Sequence, residues 1–137
     1  MTIVNQNYLN ADYVRATINS DLGFSLEDRV EHARRLGEMA KMLDGQGYNV
    51  VVDFVCPTKE TREAFGKPDI LIFMDTIQEG RFEDTNKMFI PPEKYRWRVD
   101  TQDCEFWSKA IAEELELEYR PSWIKAMLYG IKNEFQL

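Results

Sequence analysis

The sequence predicts an α/β fold in which a parallel sheet is covered on both faces. Three observations carry this. Two short runs, YNVVVDFV (48–55) and DILIFMD (69–75), are continuously apolar and rich in branched side chains, the pattern of strands buried on both faces. Between and around them lie stretches with helical periodicity, the longest opening at Ser25. Strand and helix alternate along the whole chain, which implies parallel strands joined by crossover helices.

Taken in order, residues 2–9 read as a short strand, and Asn10 caps a short helix from Ala11 to about Ile18. NSDLGFS is a loop. Ser25 opens a long helix with Asp28 in its first turn, running to about Leu43 and stopping at Gly45 and Gly47. After the strand at 48–55, Pro57 suits the first turn of a short helix ending near Phe65. The strand at 69–75 is followed by an irregular stretch, 76–95, long enough to act as a lid or to be a plain surface excursion. RWRVDT (96–101) reads as a short strand, and helices follow at about 103–117 and 121–135. The 137 residues fit one domain with a real core, and no repeat, low-complexity tract or long linker divides them.

Bulk properties exclude several classes. With 44% hydrophobic and 30% charged residues the chain has an ordinary globular composition. No apolar run reaches the roughly 20 residues that span a bilayer, and MTIVNQNYLN lacks the basic flank and apolar stretch of a signal peptide. The expected location is the cytoplasm, with no membrane partner. A net charge of −7 argues against nucleic acid as partner, though not against a small anion in a locally basic pocket. Cys56 and Cys104 are the two cysteines and His32 is the single histidine, so neither a disulfide framework nor a resident metal site is expected.

Chemistry concentrates at a few places. On the long helix, Leu26, Val30, Ala33, Leu36, Met39, Ala40 and Leu43 form an apolar arc opposite a charged one. Arg29 and His32 interrupt the apolar arc one turn apart. They are either an internal ion pair with a satisfied core histidine, or two groups lining a cleft where they meet an anion. Asp12 and Arg15, three apart, share a helix face; Phe24 sits in a glycine-containing loop, either tucked inward or free to stack on a flat ring. Asp53, Cys56 and Pro57 fall at the carboxyl end of a buried strand, where parallel sheets bind ligands.

Together these segments resemble the adenylylsulfate kinases. That family carries a stretch like LDGDNVR–HGLN–DLGFS–DR–EN–RR followed by FISP. Here the corresponding residues are LNADYVR, ATINSDLGFS, EDRVEHARRLGEMAK and FVCP, without gaps from Leu9 to about Lys41. The likeness covers the first half closely and loosens beyond Asp75. It implies a three-layer parallel sheet of the P-loop nucleoside-kinase type and, for the family, ATP- and Mg2+-dependent 3′-phosphorylation of adenylyl sulfate in sulfate assimilation. By resemblance, adenylyl sulfate or a related adenine nucleotide would be held by Arg15, Phe24, Arg29, His32, Cys56 and Pro57. Phe24 would stack on adenine, Arg15 and Arg29 would hold the phosphosulfate, and Asp12 would stand near the 3′-hydroxyl and magnesium as base or metal contact.

Some positions depart from the family pattern. Asn10 replaces an acid, His32 an asparagine and Cys56 a serine; the family's KGLYKKAR-like lid is absent, with Lys87 as the candidate substitute. No segment reads G-x-x-x-x-G-K-[ST], the phosphate-binding loop that precedes this region in the family. The expectation is therefore one truncated kinase-like domain, lacking the first strand and that loop. ATP and Mg2+ are not expected to bind it well. It is inactive alone, a nucleotide-binding module, or a catalytically dead scaffold. Strand edges left open by the lost strand, and the apolar face of 121–135, favour a homodimer; the alternative is a monomer whose flanking strands close the gap.

Overall fold

The computed structural model describes residues 6–77, 80 and 82–114, and within them the expected α/β alternation is present with parallel strands. The elements are β1 (Gln6–Asn10), α1 (Ala11–Ala16), α2 (Leu26–Gly45), β2 (Asn49–Asp53), α3 (Lys59–Phe65), β3 (Ile72–Met74), α4 (Glu83–Met88), β4 (Trp97–Val99) and α5 (Cys104–Glu114). The proposed helix at 121–135 lies outside the described residues.

The strands form two separate parallel pairs. β1 lies on β2 in the register Gln6↔Asn49 through Asn10↔Asp53, and β3 on β4 from Ile72↔Trp97 to Met74↔Val99. β2 and β3 do not pair, so the described strands do not close the gap in the way the monomer alternative required. Each pair has its own core. Ala11, Val14 and Leu36 pack with Val52, Phe54 and Phe65 on the first. Val99, Ile111 and Ala112 pack with Ile72, Met74 and Trp107 on the second.

Local chemistry sets the element ends. Asn10 accepts a hydrogen bond from the Tyr13 amide and starts α1 directly off β1. Ser25 Oγ accepts from the Asp28 amide at 3.1 Å and opens α2. At the other end of α2, Gly47 adopts φ +89°, a conformation that costs glycine little, and the Tyr48 amide returns to the Leu43 carbonyl.

Several boundaries differ from expectation: the strands expected at 69–75 and 96–101 shorten to β3 and β4. Pro57 precedes α3 rather than opening it. Thr58 is the cap, in a reciprocal arrangement where the Thr61 amide donates to Thr58 Oγ1 and the Thr58 amide to Thr61 Oγ1. Within 76–95, read as irregular, residues 83–88 form α4. α2 crosses α3 at Gly37, where an added Cβ would stand 2.1 Å from the Phe65 carbonyl oxygen.

Candidate nucleotide site

The candidate residues gather where β1 and β2 end. β1 runs straight into α1, placing Asp12 near Asp53, the last residue of β2. The DLGFS loop then folds back over α1. Its shape is held from the helix side: the Asp28 carboxylate accepts the Gly23 amide at 2.9 Å, and the Arg15 guanidinium donates to the Gly23 carbonyl. Phe24 is thereby held outward, 61% exposed. The Arg15 guanidinium lies 4.8 Å from its ring centroid and that of Arg29 5.6 Å. An exposed flat ring with two cations near it is the central feature of the site.

Arg29 is itself buried, 9% exposed. Its Nε donates to the Phe24 carbonyl at 2.8 Å, and its Nη2 donates to Asp84 Oδ2 at 3.0 Å and Thr85 Oγ1 at 3.1 Å. Of the two alternatives for Arg29, the ion pair is present, and the same side chain also faces the exposed ring. Burial lowers the pKa of Arg15, and the neighbouring Arg29 charge lowers it further. Two like charges this close make the spot favourable for an anion.

His32 is buried, with Nδ1 2.9 Å from Asn19 Nδ2. An amide nitrogen can only donate, so Nδ1 accepts and Nε2 carries the proton. Nε2 is buried without a well-aligned partner. Burial pushes the imidazole down to about 4, and Arg15 adds to the effect. His32 is thus a neutral histidine tying α2 to the loop at Asn19.

Asp12 Oδ2 is likewise buried without a partner, and burial raises its pKa against the pull of Arg15. Asp53 accepts the Tyr8 hydroxyl at 2.7 Å. Burial, helped by the charge of Asp12, pushes Asp53 up to about 6 in spite of that bond.

Cys56 sits at φ +44°, the one non-glycine residue in the left-handed region among the described residues. Its Sγ lies 3.6 Å from Thr61 Oγ1, and burial pushes the thiol up to about 11, so it is no nucleophile near neutral pH. Pro57 is buried, and its carbonyl accepts the Ile90 amide at 2.7 Å, tying the segment after α4 to the end of β2. Lys87 is exposed and pairs with Glu83 on its own helix at 2.7 Å, so it is not drawn into the Arg15–Phe24–Arg29 group. Asn19, Tyr8, Asp84 and Thr85 were missed in the sequence. Their partners lie 13 to 56 positions away, and no local pattern marks them.

A family model described as adenylylsulphate kinase matches residues 2–79, more than half of the chain. The chain belongs to the adenylylsulphate kinase family. An adenylyl-sulfate kinase of Bacillus licheniformis is 52% identical over 54 residues, which is 39% of this chain and 27% of that protein. That of Buchnera aphidicola is 36% identical over 92 residues, 63% of this chain and 45% of the relative. The matches thus span about a quarter to under a half of these curated relatives.

An APS kinase structure from Mycobacterium tuberculosis superposes with TM-score 0.64 at 27% identity, covering 82% of this chain and 77% of that one. A second structure of that kinase, in complex with AMPPNP and APS, gives 0.62 at 23% identity, covering 83% and 81%, and supports the fold. Among the described residues no helix is long and apolar enough to cross a membrane.

Proposed function

We propose that this chain binds adenylyl sulfate through Phe24, Arg15 and Arg29. The observation that carries the reading is the exposed Phe24 ring with guanidinium groups 4.8 and 5.6 Å from its centroid. Adenine stacks on the ring, and the phosphosulfate meets the two cations. Asp12, beside Arg15 on α1, is the group we assign to the 3′-hydroxyl. Burial raises its pKa against the pull of Arg15, which makes it a better proton acceptor than an exposed carboxylate. We assign His32, Cys56 and Pro57 to the same site from the family likeness of their segments.

Members of the family use ATP. The 137 residues contain no Gly-x-x-x-x-Gly-Lys-[Ser/Thr] stretch to cradle its phosphates, and among the described residues no three His, Cys, Asp or Glu side chains gather as a metal site. The reading is therefore confined to the acceptor nucleotide, for which these residues offer a ring and two cations. The function proposed for this polypeptide is binding of the acceptor nucleotide.

Calorimetric titration of the 137-residue chain tests it. Saturable heat with adenylyl sulfate, and none with ATP, is the expected result. Absence of binding up to millimolar adenylyl sulfate defeats the proposal. Formation of the 3′-phosphorylated product from adenylyl sulfate and ATP, with contaminating kinase excluded, defeats its restriction to binding.

A further inference from the structure

Residues 17–25, between α1 and α2, contain no regular element, yet side chains of α2 hold them at several points. Asp28, His32 and Arg35 are spaced four and three apart, which puts them on one face of α2, and all three bond the loop. The Asp28 carboxylate accepts the Gly23 amide at 2.9 Å. His32 Nδ1 accepts from Asn19 Nδ2 at 2.9 Å. Arg35 donates Nη1 and Nη2 to the two carboxylate oxygens of Asp21 at 2.8 and 2.9 Å, and Nη1 also reaches Asn19 Oδ1 at 3.4 Å.

Arg35 is aimed from behind. Its Nε donates to Glu31 Oε1 at 2.9 Å, and Glu31 is in turn forked by Arg34. Asn19 is fully buried; its amide donates to the Val14 carbonyl at 2.8 Å, and its carbonyl accepts the Leu22 amide at 3.0 Å. The loop is thus held at 19, 21 and 23, and Phe24 is the next residue. Folding stability does not account for the fork on Asp21. That side chain is 58% exposed, and an ion pair so placed adds little to stability. A planar two-pronged bond does fix orientation. The cations over the ring are Arg15 and Arg29, so Arg35 acts on it through the loop.

We propose that Arg35, through Asp21 and Asn19, is a positioning residue for Phe24: it holds the loop in its ring-outward shape before ligand arrives, and so raises affinity for a ligand that carries a flat base. The inference rests on the reading of Phe24 as the stacking surface. A loop ordered in advance loses no conformational freedom on binding, and affinity gains what that ordering costs.

The test variant carries Asp21→Ala and Arg35→Ala together, which removes the fork and leaves the net charge unchanged. In the ligand-free 137-residue chain, amide exchange at Asn19, Leu22 and Gly23 should quicken about ten-fold or more. The thermal midpoint should stay within a few degrees of the parent. By calorimetry, affinity for adenylyl sulfate should fall about five-fold or more, while inorganic pyrophosphate, which meets the cations without a ring, should bind within about two-fold of the parent. In a Phe24→Ala background the same pair of substitutions should change adenylyl sulfate affinity by less than about two-fold, because no ring is left to position.

Unchanged exchange at those three amides overturns the proposal. So does an equal loss of affinity for pyrophosphate and adenylyl sulfate, which makes Arg35 part of the general field of the site. An undiminished effect in the Phe24→Ala background overturns it as well, and a large drop in midpoint makes Arg35 a residue of stability instead. If the parent itself fails to bind adenylyl sulfate, the stacking reading falls; quickened exchange then still supports Arg35 as the holder of the loop, and unchanged exchange removes that role too.

Discussion

Replacing Phe24 with alanine isolates the proposed stacking from the stability of the fold. The ring is 61% exposed and takes part in neither buried core cluster, so its removal opens no internal cavity. What the folded chain loses is two ring–cation contacts, each worth about 0.5–1 kcal/mol at an exposed site. Both guanidinium groups keep their carbonyl partners, Arg15 on Gly23 and Arg29 on the Phe24 backbone itself, which survives the substitution. Stability should therefore fall by about 1–2 kcal/mol at most, a midpoint shift of a few degrees.

Binding loses more. Stacking of a base on an aromatic is worth roughly 1–3 kcal/mol, or about 5–150-fold in Kd. Calorimetry with adenylyl sulfate, paired with a thermal melt, reads both quantities. Phe24→Leu keeps apolar bulk without a flat face, so it should bind nearly as weakly as the alanine variant. The reasoning is refuted if Phe24→Ala binds within two-fold of the parent, or if the leucine variant recovers full affinity.

Three further outcomes are expected. Arg29→Ala should weaken adenylyl sulfate binding and also free α4, because Asp84 and Thr85 lose their shared donor; faster amide exchange in 83–88 is the readout, and unchanged exchange there removes the tethering role. Gly37→Ala should destabilise the chain by about 1–3 kcal/mol in urea, since the new methyl would meet a backbone carbonyl rather than a yielding side chain.

Around pH 5 two buried groups act on stability in opposite directions. His32, lowered to about 4 from 6.5, favours the folded state fully above pH 6.5, and that contribution is lost as pH falls toward 4. Asp53, raised to about 6 from 3.8, favours the folded state at low pH, and that contribution is lost as pH rises from 3.8 through 6. Each slope is on the order of 1 kcal/mol per pH unit near pH 5, with opposite sign. Asp53→Asn should therefore make stability rise with pH between 4 and 6.5, and His32→Gln should make it fall between 4 and 6. Equal profiles for both variants would contradict the assignment.

The first half of the chain was readable because its signals are local. A branched apolar run set β2, and Ser25 with the glycines at 45 and 47 set the ends of α2. Asp12, Arg15 and Phe24 stood close enough in sequence to be placed together. α4 was not readable: Phe82 at its cap offers no side-chain acceptor, and six residues give too short a period to detect. Its reason for being a helix in that place includes Arg29, 55 positions earlier. The strand expected at 69–75 shrank to three residues because pairing, rather than composition, decides where a ladder exists, and β4 offers only Trp97–Val99. The left-handed turn at Cys56 was also hidden, since a cysteine before proline carries no signal for positive φ.

The bond between Arg29 and Asp84 joins two segments that the chain otherwise keeps apart, and it makes them compete for one charge. Any anion drawn to the Phe24 ring must share that guanidinium with a carboxylate that is 60% exposed and can readily return to water. If an anion and Asp84 take the same edge of the guanidinium, a change that tightens α4 against α2 lowers the anion's affinity by the factor by which the anion loosens α4. Raised salt weakens the exposed side of this contest first, so ionic strength should tilt the balance between a docked α4 and an anion-ready arginine.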